Sequence, residues 1–323
     1  MIFFIAHFFV YICLYIIIYM EKFEVTILGC GSALPTTRHF ASAQVVNLRE
    51  KLYLIDCGEG CQLQFRRSRL NFSRLNHIFI SHLHGDHCFG LMGLISTLGL
   101  LGRTAPMHLY APHTFEEQFR TQMDFFCKGL SFDVEFHPID TSKHDVIYED
   151  RTVTVYSLPL RHRIECCGFL FKEKPLLPHI RKDMIDFYHI PTYEINNIKN
   201  GKDWVTEDGT VVPHHRLTFP ADAPRSYAYC SDTCYLPKLA EYLQNVDLLF
   251  HEATFAHDNA ARAKETFHTT ALEAGKMAAA CHAKQLCIGH FSARYEDENV
   301  LLREAQKEFP NTILAKENLT IQV

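Results

Sequence analysis

The sequence of 323 residues lacks several patterns that mark particular classes of protein. It contains 12 cysteines but no C-x-x-C pair, so neither a zinc ribbon nor a disulfide framework is indicated. We therefore expect reduced thiols, mostly buried as small apolar side chains, in a cytoplasmic protein. The net charge of −5 lacks the basic excess typical of proteins that bind nucleic acid over their whole surface. Nucleic-acid binding would need a local patch, a projecting arm or a metal site.

An N-terminal run, residues 1–19, is almost entirely apolar and long enough for a membrane span. No lysine or arginine precedes it and no small-x-small cleavage site follows it, so a cleaved signal peptide is not indicated. An alternating strand starts at Phe23, which leaves almost no linker between a bilayer and the core. We predict that translation starts at Met20 and that residues 1–19 are a gene-model extension, without stable membrane association. A membrane anchor is the alternative.

Residues 20–323 have the composition of one large globular domain. Its highest concentration of metal-ligating side chains is an H-x-H-x-D-H motif from His82 to His87. The motif places three imidazoles and a carboxylate within six positions. The apolar residues 78–80 before it predict a buried strand, and residues 89–101 after it predict a buried helix. A loop at a strand end can aim several side chains at one point. Because imidazole and carboxylate are ligands of zinc, and also of ions such as manganese, the motif predicts a metal site.

Other apolar runs end in polar residues, and each predicts a strand that delivers its polar residue to one edge of a sheet. These residues are His162, Asp232, His251, Glu252 and His290. Alone, each also fits an ordinary polar strand end or a surface side chain. Two further residues fit ordinary structural roles. Asp56 fits a turn former, and His268 fits a neighbour of the N-cap of a predicted helix over residues 271–282.

Together these motifs resemble a known family. The H-x-H-x-D-H motif resembles the signature of the metallo-β-lactamase superfamily. Residues 56–60 (D-C-G-E-G) and 251–254 (H-E-A-T) narrow the resemblance to ribonuclease Z, the tRNA 3′-processing endonuclease, in its short bacterial form. The resemblance covers residues 21 to about 320. It implies an α/β fold, a four-layer αβ/βα sandwich with an inserted arm.

The resemblance also implies two zinc ions per chain and a role for each motif. The implied ligands are His82, His84 and His162 for one ion, Asp86, His87 and His290 for the other, and Asp232 between them. Asp86 is also expected to orient the attacking water and accept its proton. For Asp56 the resemblance implies a second interpretation, a support for the metal ligands, and for His268 it implies an edge of the site. His251 is predicted to be the general acid, with Glu252 orienting it. Cleavage of a precursor tRNA would leave a 3′-hydroxyl on the tRNA and a 5′-phosphate on the trailer.

The inserted arm is placed at residues 172–225, where apolar periodicity is weak. In the family such an arm grips tRNA, and one subunit's arm serves the other's active site, which implies a homodimer. The segment has eight basic and eight acidic residues, and Thr192-Tyr193-Glu194-Ile195 stands where the family has a Gly-Pro pair. A solvated surface excursion is the alternative for this segment.

Two other functions fit the motifs. One is a different metallo-β-lactamase-fold hydrolase, a phosphodiesterase or esterase acting on small molecules. The other is an RNA-binding protein with a structural zinc site. An open coordination position argues against the second, because structural zinc sites are closed.

Overall fold

The structure, a computed structural model, describes residues 21–323. The apolar run of residues 1–19 and the predicted start at Met20 lie outside the described residues. Within the described part, no helix has the length and apolar character needed to cross a membrane. The contacts divide this part into a larger unit, which contains Glu21–Glu149, Thr154–Lys172 and Arg225–Val323, and a smaller unit, which contains Asp150–Val153 and Glu173–Pro224.

The first sheet of the larger unit has seven strands. They are β1 (Phe23–Gly29), β2 (Ala43–Leu48), β3 (Lys51–Ile55), β4 (Leu75–Phe79), β5 (Met107–Pro112), β6 (Val134–Ile139) and β18 (Thr320–Gln322). Their order is β18-β1-β2-β3-β4-β5-β6, parallel from β3 to β6 and antiparallel elsewhere. Strand β2 is buried along its whole length, as expected for a strand covered on both faces.

The second sheet also has seven strands. They are β7 (Val146–Glu149), β8 (Val153–Pro159), β9 (Cys167–Glu173), β14 (Ser226–Cys230), β15 (Leu248–Glu252), β16 (Gln285–Gly289) and β17 (Thr312–Leu314). Their order is β17-β16-β15-β14-β9-β8-β7, and β14 to β17 are parallel. The strands predicted before Asp232, before His290 and at His251 are confirmed.

Helices cover the outer faces of both sheets. The helices of the described chain are α1 (Cys61–Arg67), α2 (Gly85–Cys88), α3 (Leu91–Leu100), α4 (Glu116–Phe126), α5 (Lys182–Phe187), α6 (Thr192–Lys199), α7 (His214–Leu217), α8 (Ala260–Thr266), α9 (Ala271–Ala280) and α10 (Asn299–Glu308). Helices α1, α3 and α4 pack on the first sheet, whereas α9 and α10 pack on the second. Aromatic rings fill the space between the sheets, with Phe79 5.5 Å from Phe169 and Tyr53 5.7 Å from Phe171 between centroids. The predicted four-layer sandwich is confirmed.

The helix after the motif differs from its prediction. Helix α3 buries Leu94 and Leu98 on one face, but Phe89 is 76% exposed and Leu100 is 87% exposed. The apolar run is therefore not a fully buried helix, because only one face contacts the sheet. The helix predicted over residues 271–282 forms as α9, whose N-cap Thr270 makes a capping box with Glu273.

The smaller unit has its own apolar core. Its strands are β10 (His179–Ile180), β11 (Trp204–Val205), β12 (Val211–Val212) and β13 (Thr218–Phe219), and they form two short hairpin-like pairs, β10 with β13 and β11 with β12. Ile190, Ile198, Val212 and Leu217 are buried at the centre, between helices α5 to α7. The segment predicted to be an arm is thus a compact unit with buried side chains rather than an unpacked loop.

Candidate metal centre

The H-x-H-x-D-H motif forms the loop after β4 and the short helix α2. The Cys57 amide donates to the carbonyl oxygen of His87 at 2.7 Å, which ties this loop to the end of β3. A Cβ atom on Gly58 would lie 2.4 Å from the carbonyl oxygen of Asp86, so only glycine permits this close approach. The backbone of the loop is therefore held from the neighbouring strand.

One group of side chains joins this loop to the second sheet: His82, His84, His162 and Asp232. The His84 Nδ1 atom lies 3.2 Å from Nε2 of His82 and 3.2 Å from Nε2 of His162. The Oδ2 atom of Asp232 lies 3.7 Å from Nε2 of His82 and 3.9 Å from Nε2 of His162. Residues that are far apart in the sequence therefore present four donor atoms to one point.

A second group contains Asp86, His87, His290 and the other oxygen of Asp232. His87 Nε2 lies 3.4 Å from Asp86 Oδ2 and 3.4 Å from Asp232 Oδ1. His290 Nε2 lies 3.3 Å from Asp86 Oδ2 and 3.2 Å from Asp232 Oδ1. Asp232 thus directs one carboxylate oxygen to each group. All seven predicted ligands are brought together.

The spacing of the donor atoms fits metal coordination. Four ligands placed about 2.0–2.1 Å from a zinc ion in a tetrahedron lie roughly 3.3 Å from one another. Most of the donor separations given above are close to that value. In addition, His87 Nε2 and Asp232 Oδ1 are buried and make no hydrogen bond within residues 21–323. Buried polar atoms without partners are costly, and a cation held by these two atoms would satisfy both.

The electrostatics of the two groups also favour cations. Burial lowers the pKa of His82, which keeps the imidazole in the neutral form that binds metals. Burial alone would lower the pKa of His87 as well, but the carboxylates of Asp232, Asp56 and Asp86 outweigh burial and raise it well above its ordinary value. A buried site with this concentration of carboxylates attracts positive charge.

The second nitrogen of most of these histidines has a partner that sets its tautomer. Nδ1 contacts Ser81 Oγ at 3.0 Å in His82, Asp56 Oδ2 at 2.7 Å in His87, the Phe267 carbonyl at 3.0 Å in His162 and Thr254 Oγ1 at 2.8 Å in His290. Because Nδ1 is engaged in each case, Nε2 presents its lone pair to the centre.

Asp56 contacts the predicted ligand His87 and the loop that carries it, which fits the interpretation of Asp56 as a support for metal ligands. It is fully buried, and it accepts hydrogen bonds from His87 Nδ1 at 2.7 Å, Tyr229 Oη at 2.7 Å, and Ser81 N and Oγ at 2.8 and 2.9 Å. Its backbone φ is 56°, in the left-handed region, where aspartate and asparagine are tolerated better than most residues. Asp56 therefore connects His87 in the first sheet's loop with Tyr229 in the second sheet.

Replacing Asp56 by asparagine is expected to weaken metal binding about 10- to 100-fold, the usual effect of losing such a support. Asparagine keeps the shape and tolerates the positive φ, so the change isolates the carboxylate charge. Competition with a chelator measures the affinity, and Asp140→Asn, an exposed aspartate, is the control. An unchanged affinity would show that Asp56 serves folding alone.

A cavity of about 420 Å³ opens above the two groups. Its wall includes five of the predicted ligands, His84, Asp86, His162, Asp232 and His290. Sequence reasoning missed three arginines in this wall, Arg163, Arg262 and Arg294. Arg163 directly follows a predicted ligand and Arg294 lies close after another, so proximity to the motifs was a usable signal for these two. Nothing in the sequence marks Arg262. The guanidinium groups of Arg163 and Arg294 place positive charge at the site despite the net charge of −5, whereas Arg262 forms an ion pair with Glu265 at 2.7 Å.

The structure does not bring the predicted general acid, His251, to the cavity. Its side chain is fully buried, and Nδ1 lies 2.7 Å from the carbonyl oxygen of Glu252. Within the described chain, the cavity wall does not include His251. Alternation along β15 turns neighbouring side chains to opposite faces, so His251 and Glu252 point in different directions.

His268 occupies the cavity wall instead. Its Nδ1 donates to Glu252 Oε1 at 2.9 Å, and its ring stacks on His290 with centroids 5.4 Å apart. Burial lowers the pKa of His268, but the Glu252 carboxylate more than offsets this and raises the pKa to about 9. Glu252 is itself fixed, because Oε1 accepts from the amides of Thr233 and Thr269 at 3.1 Å each.

Comparison with known proteins places these features in a family. A protein-family model described as "Anti-Pycsar protein Apyc1" matches residues 23–174. Ribonuclease Z of Phocaeicola vulgatus is 64% identical over 304 residues, which cover 94% of this chain and 98% of that protein. The crystal structure of human tRNase Z, short form, superposes with a TM-score of 0.67 and 26% identity, covering 92% of this chain and 98% of that one.

A more distant structure shows the same fold. The metallo-β-lactamase fold protein YhfI from Bacillus subtilis superposes with a TM-score of 0.66 and 18% identity, covering 94% of this chain and 100% of that one. The high identity to ribonuclease Z over nearly the full length decides the family, against the small-molecule hydrolases that share the fold. The chain therefore belongs to the ribonuclease Z family, the metal-dependent endoribonucleases that process tRNA 3′ ends on a metallo-β-lactamase fold.

Proposed function

We propose that this chain binds two zinc ions and removes 3′ trailers from tRNA precursors, leaving a 3′-hydroxyl on the tRNA and a 5′-phosphate on the trailer. The observation that carries the proposal is the sharing of Asp232, whose two oxygens each face a separate set of histidines. His82, His84 and His162 would hold one ion, and Asp86, His87 and His290 the other. Bound there, the ions would supply Lewis acidity and lower the pKa of a water molecule.

We assign Asp86 to the attacking water. Its contacts with His87 and His290 both use Oδ2, so Oδ1 is the atom that can orient the water and accept its proton. Attack on phosphorus breaks the bond to the 3′-oxygen of the tRNA, and that oxygen needs a proton. We assign its donor to His268 rather than His251, because His268 lines the cavity. Glu252 is the positioning residue, since its carboxylate holds Nδ1 of His268.

The arginines of the cavity wall are suited to bind phosphates beside the cut. Arg294 lies over the Phe255 ring, 4.9 Å from its centroid, and donates to Asn259 Oδ1 at 2.8 Å. Arg163 donates from Nε to the carbonyl oxygen of Thr266 at 3.5 Å. These contacts fix each guanidinium group while it still has donors for phosphate oxygens. Such contacts position the chain of the RNA without reading its sequence.

The smaller unit is proposed to be the tRNA-binding arm, residues 172–225. Helix α6 stands where the family has its Gly-Pro pair, and it exposes 76% of Tyr193. Phe187 and Phe219 are 70% and 56% exposed, and the Arg181 guanidinium lies 5.3 Å from the centre of the Phe219 ring. Exposed aromatic rings and cations are groups that stack on bases and contact phosphates. They support RNA binding by a segment whose net charge is near zero.

We also propose that the chain is a cytoplasmic homodimer that does not associate stably with membranes. Every cysteine of the described chain is a free thiol, as is typical of a reducing compartment. Leu100, Leu101, Phe125 and Phe126, at the ends of α3 and α4, are between 51% and 87% exposed. An exposed apolar group of this kind is a common feature of protein interfaces.

Deleting Glu173–Pro224 is expected to lower kcat/KM for a tRNA precursor by about tenfold or more. The rate of hydrolysis of a small chromogenic phosphodiester is expected to stay unchanged. Lys172 and Ser226 are paired partners in β9 and β14, so a short Gly-Ser linker can join the cut ends. All proposed ligands, His268 and Glu252 lie outside the deletion. Both activities are measured on one preparation, with and without chelator, after metal analysis.

The pair of substrates separates the possible results. A truncated protein that cuts the precursor at the intact rate would refute the tRNA-binding role of the arm. An intact protein that hydrolyses the small diester but never cuts a 3′-extended precursor would refute the proposed function. Loss of both activities together with loss of metal would mean that the deletion damaged the fold, and a shorter deletion, Arg181–Pro213, would then replace it.

A further inference from the structure

A second place where metal-ligating side chains converge lies on strands β5 and β6 of the first sheet. These strands pair in parallel, with His108 opposite Glu135 and Tyr110 opposite His137. Side chains two positions apart on a strand share a face. The register alone therefore places His108, Glu135 and His137 on one face, carried by strands rather than by loops.

The three side chains present donor atoms to one another at coordination distances. His108 Nδ1 lies 3.1 Å from His137 Nε2 and 3.2 Å from Glu135 Oε2, and His137 Nε2 lies 4.0 Å from Glu135 Oε2. These separations match those within the two groups around Asp232. Two imidazoles and one carboxylate also form a known catalytic zinc ligand set, which leaves a position for water.

Neighbouring rings hold both imidazoles in orientation. The His77 ring stacks on His108 with centroids 5.0 Å apart and an interplanar angle of 16°. The Tyr110 ring stacks on His137 at 4.5 Å and 12°. The side chains of His108, His137 and Glu135 are 27%, 39% and 52% exposed, so an ion can reach them from solvent. A site on rigid strands with restrained rings loses little conformational freedom when it binds an ion.

We propose that His108, Glu135 and His137 form a further metal site that takes zinc or a similar divalent cation with nitrogen and oxygen ligands. The site shares no residue with the groups around Asp232. Strand β6 is at the edge of the first sheet. An ion held between His108 of β5 and His137 of β6 links the edge strand to its neighbour through side chains, in addition to the backbone ladder. The bound ion would therefore stabilise the edge of the sheet, and the site takes no part in RNA cleavage.

The ordinary alternative is a hydrogen-bonded histidine pair beside a surface carboxylate, and metal content distinguishes the two. The full chain, the double variant His108→Ala/His137→Ala and the control His113→Ala are dialysed against about 10 µM free Zn²⁺ and analysed for zinc per chain. His113 is an exposed histidine just after β5, with 62% of its side chain exposed. We expect the unmodified chain and the control to hold one zinc ion more than the double variant. Cleavage of a tRNA precursor by the double variant should stay within about twofold of the unmodified rate, because the double variant keeps the active site.

A second variant controls for loss of zinc that results from misfolding of the double variant. Glu135→Gln replaces one exposed carboxylate by an amide. It should weaken binding of the zinc ion proposed at this site by about tenfold or more, because a neutral amide is a poor zinc ligand. Equal zinc content in the unmodified chain and the double variant would overturn the proposal. A difference that appears only at roughly millimolar free zinc would also overturn it, since exposed histidine pairs bind metals weakly in general. Because the result is a difference in metal content, it stands apart from whether the chain cuts tRNA.

Discussion

Replacing Asp232 by alanine is expected to remove both metal ions and to lower the rate of tRNA-precursor cleavage by a factor of about ten thousand or more. The reason is geometric. Oδ2 of Asp232 faces His82 and His162, while Oδ1 faces His87 and His290. Removing the carboxylate therefore takes one donor from each group and leaves the imidazoles without the negative charge that balances two cations. Elemental analysis and a cleavage assay on the same preparation measure the two losses.

The asparagine variant is the matched control for this prediction. Asparagine keeps the shape of the side chain and one oxygen donor, but its amide nitrogen does not bind a metal. Asp232→Asn is therefore expected to keep one ion and lose the other. Thermal unfolding of both variants checks that the fold survives. If Asp232→Ala kept one full equivalent of metal, the carboxylate would not be shared between the two groups.

Replacing His268 by alanine is expected to slow cleavage roughly a thousandfold with metal content unchanged, within the range for a lost general acid. His268 lines the cavity and is held by Glu252, but it is not among the proposed ligands. The loss should appear in kcat rather than in KM, because proton donation acts in the chemical step. A substrate whose leaving group needs no proton, such as a nitrophenyl ester, should lose much less activity.

A variant of His251 tests the assignment of His268 as the general acid. It lies on the same strand as Glu252, but it is buried away from the cavity. His251→Gln, which keeps a polar atom for the carbonyl oxygen of Glu252, should retain cleavage within about threefold per folded molecule. If His251→Gln were the slow variant and His268→Ala the active one, the proton donor would be His251 after all.

Local sequence patterns located most of the candidate centre. The motif from His82 to His87 places its four predicted ligands within six positions. Each remaining predicted ligand lies within three residues of the end of an apolar strand. Parallel strands end at a common edge, which explains why Asp232 and His290 reach the same place although 58 positions separate them. The four-layer fold was predicted from the family resemblance.

The choice of the general acid shows what local patterns leave out. Both His251 and Glu252 end the same strand, and the choice between them depends on which face of the strand meets the cavity. That face is set by the register with β14 and β16, which the sequence of β15 alone does not contain. The stacking of His77 on His108 and the convergence of β5 and β6 side chains likewise depend on register, so the site proposed there was not visible in the sequence.

The strand order also has a consequence for the moment at which this nuclease first becomes active. Strand β1, the first of the described chain, pairs with β18, the last, and the proposed ligand His290 comes from the final part of the sequence. Domains generally fold from the N-terminus during synthesis. Here the first sheet is complete only when β18 has been synthesised, and the candidate metal centre is complete only when His290 has been synthesised. A chain that is still under synthesis, or one that ends before His290, lacks one of the proposed metal ligands. We therefore expect such a chain to cleave RNA far more slowly than the finished protein.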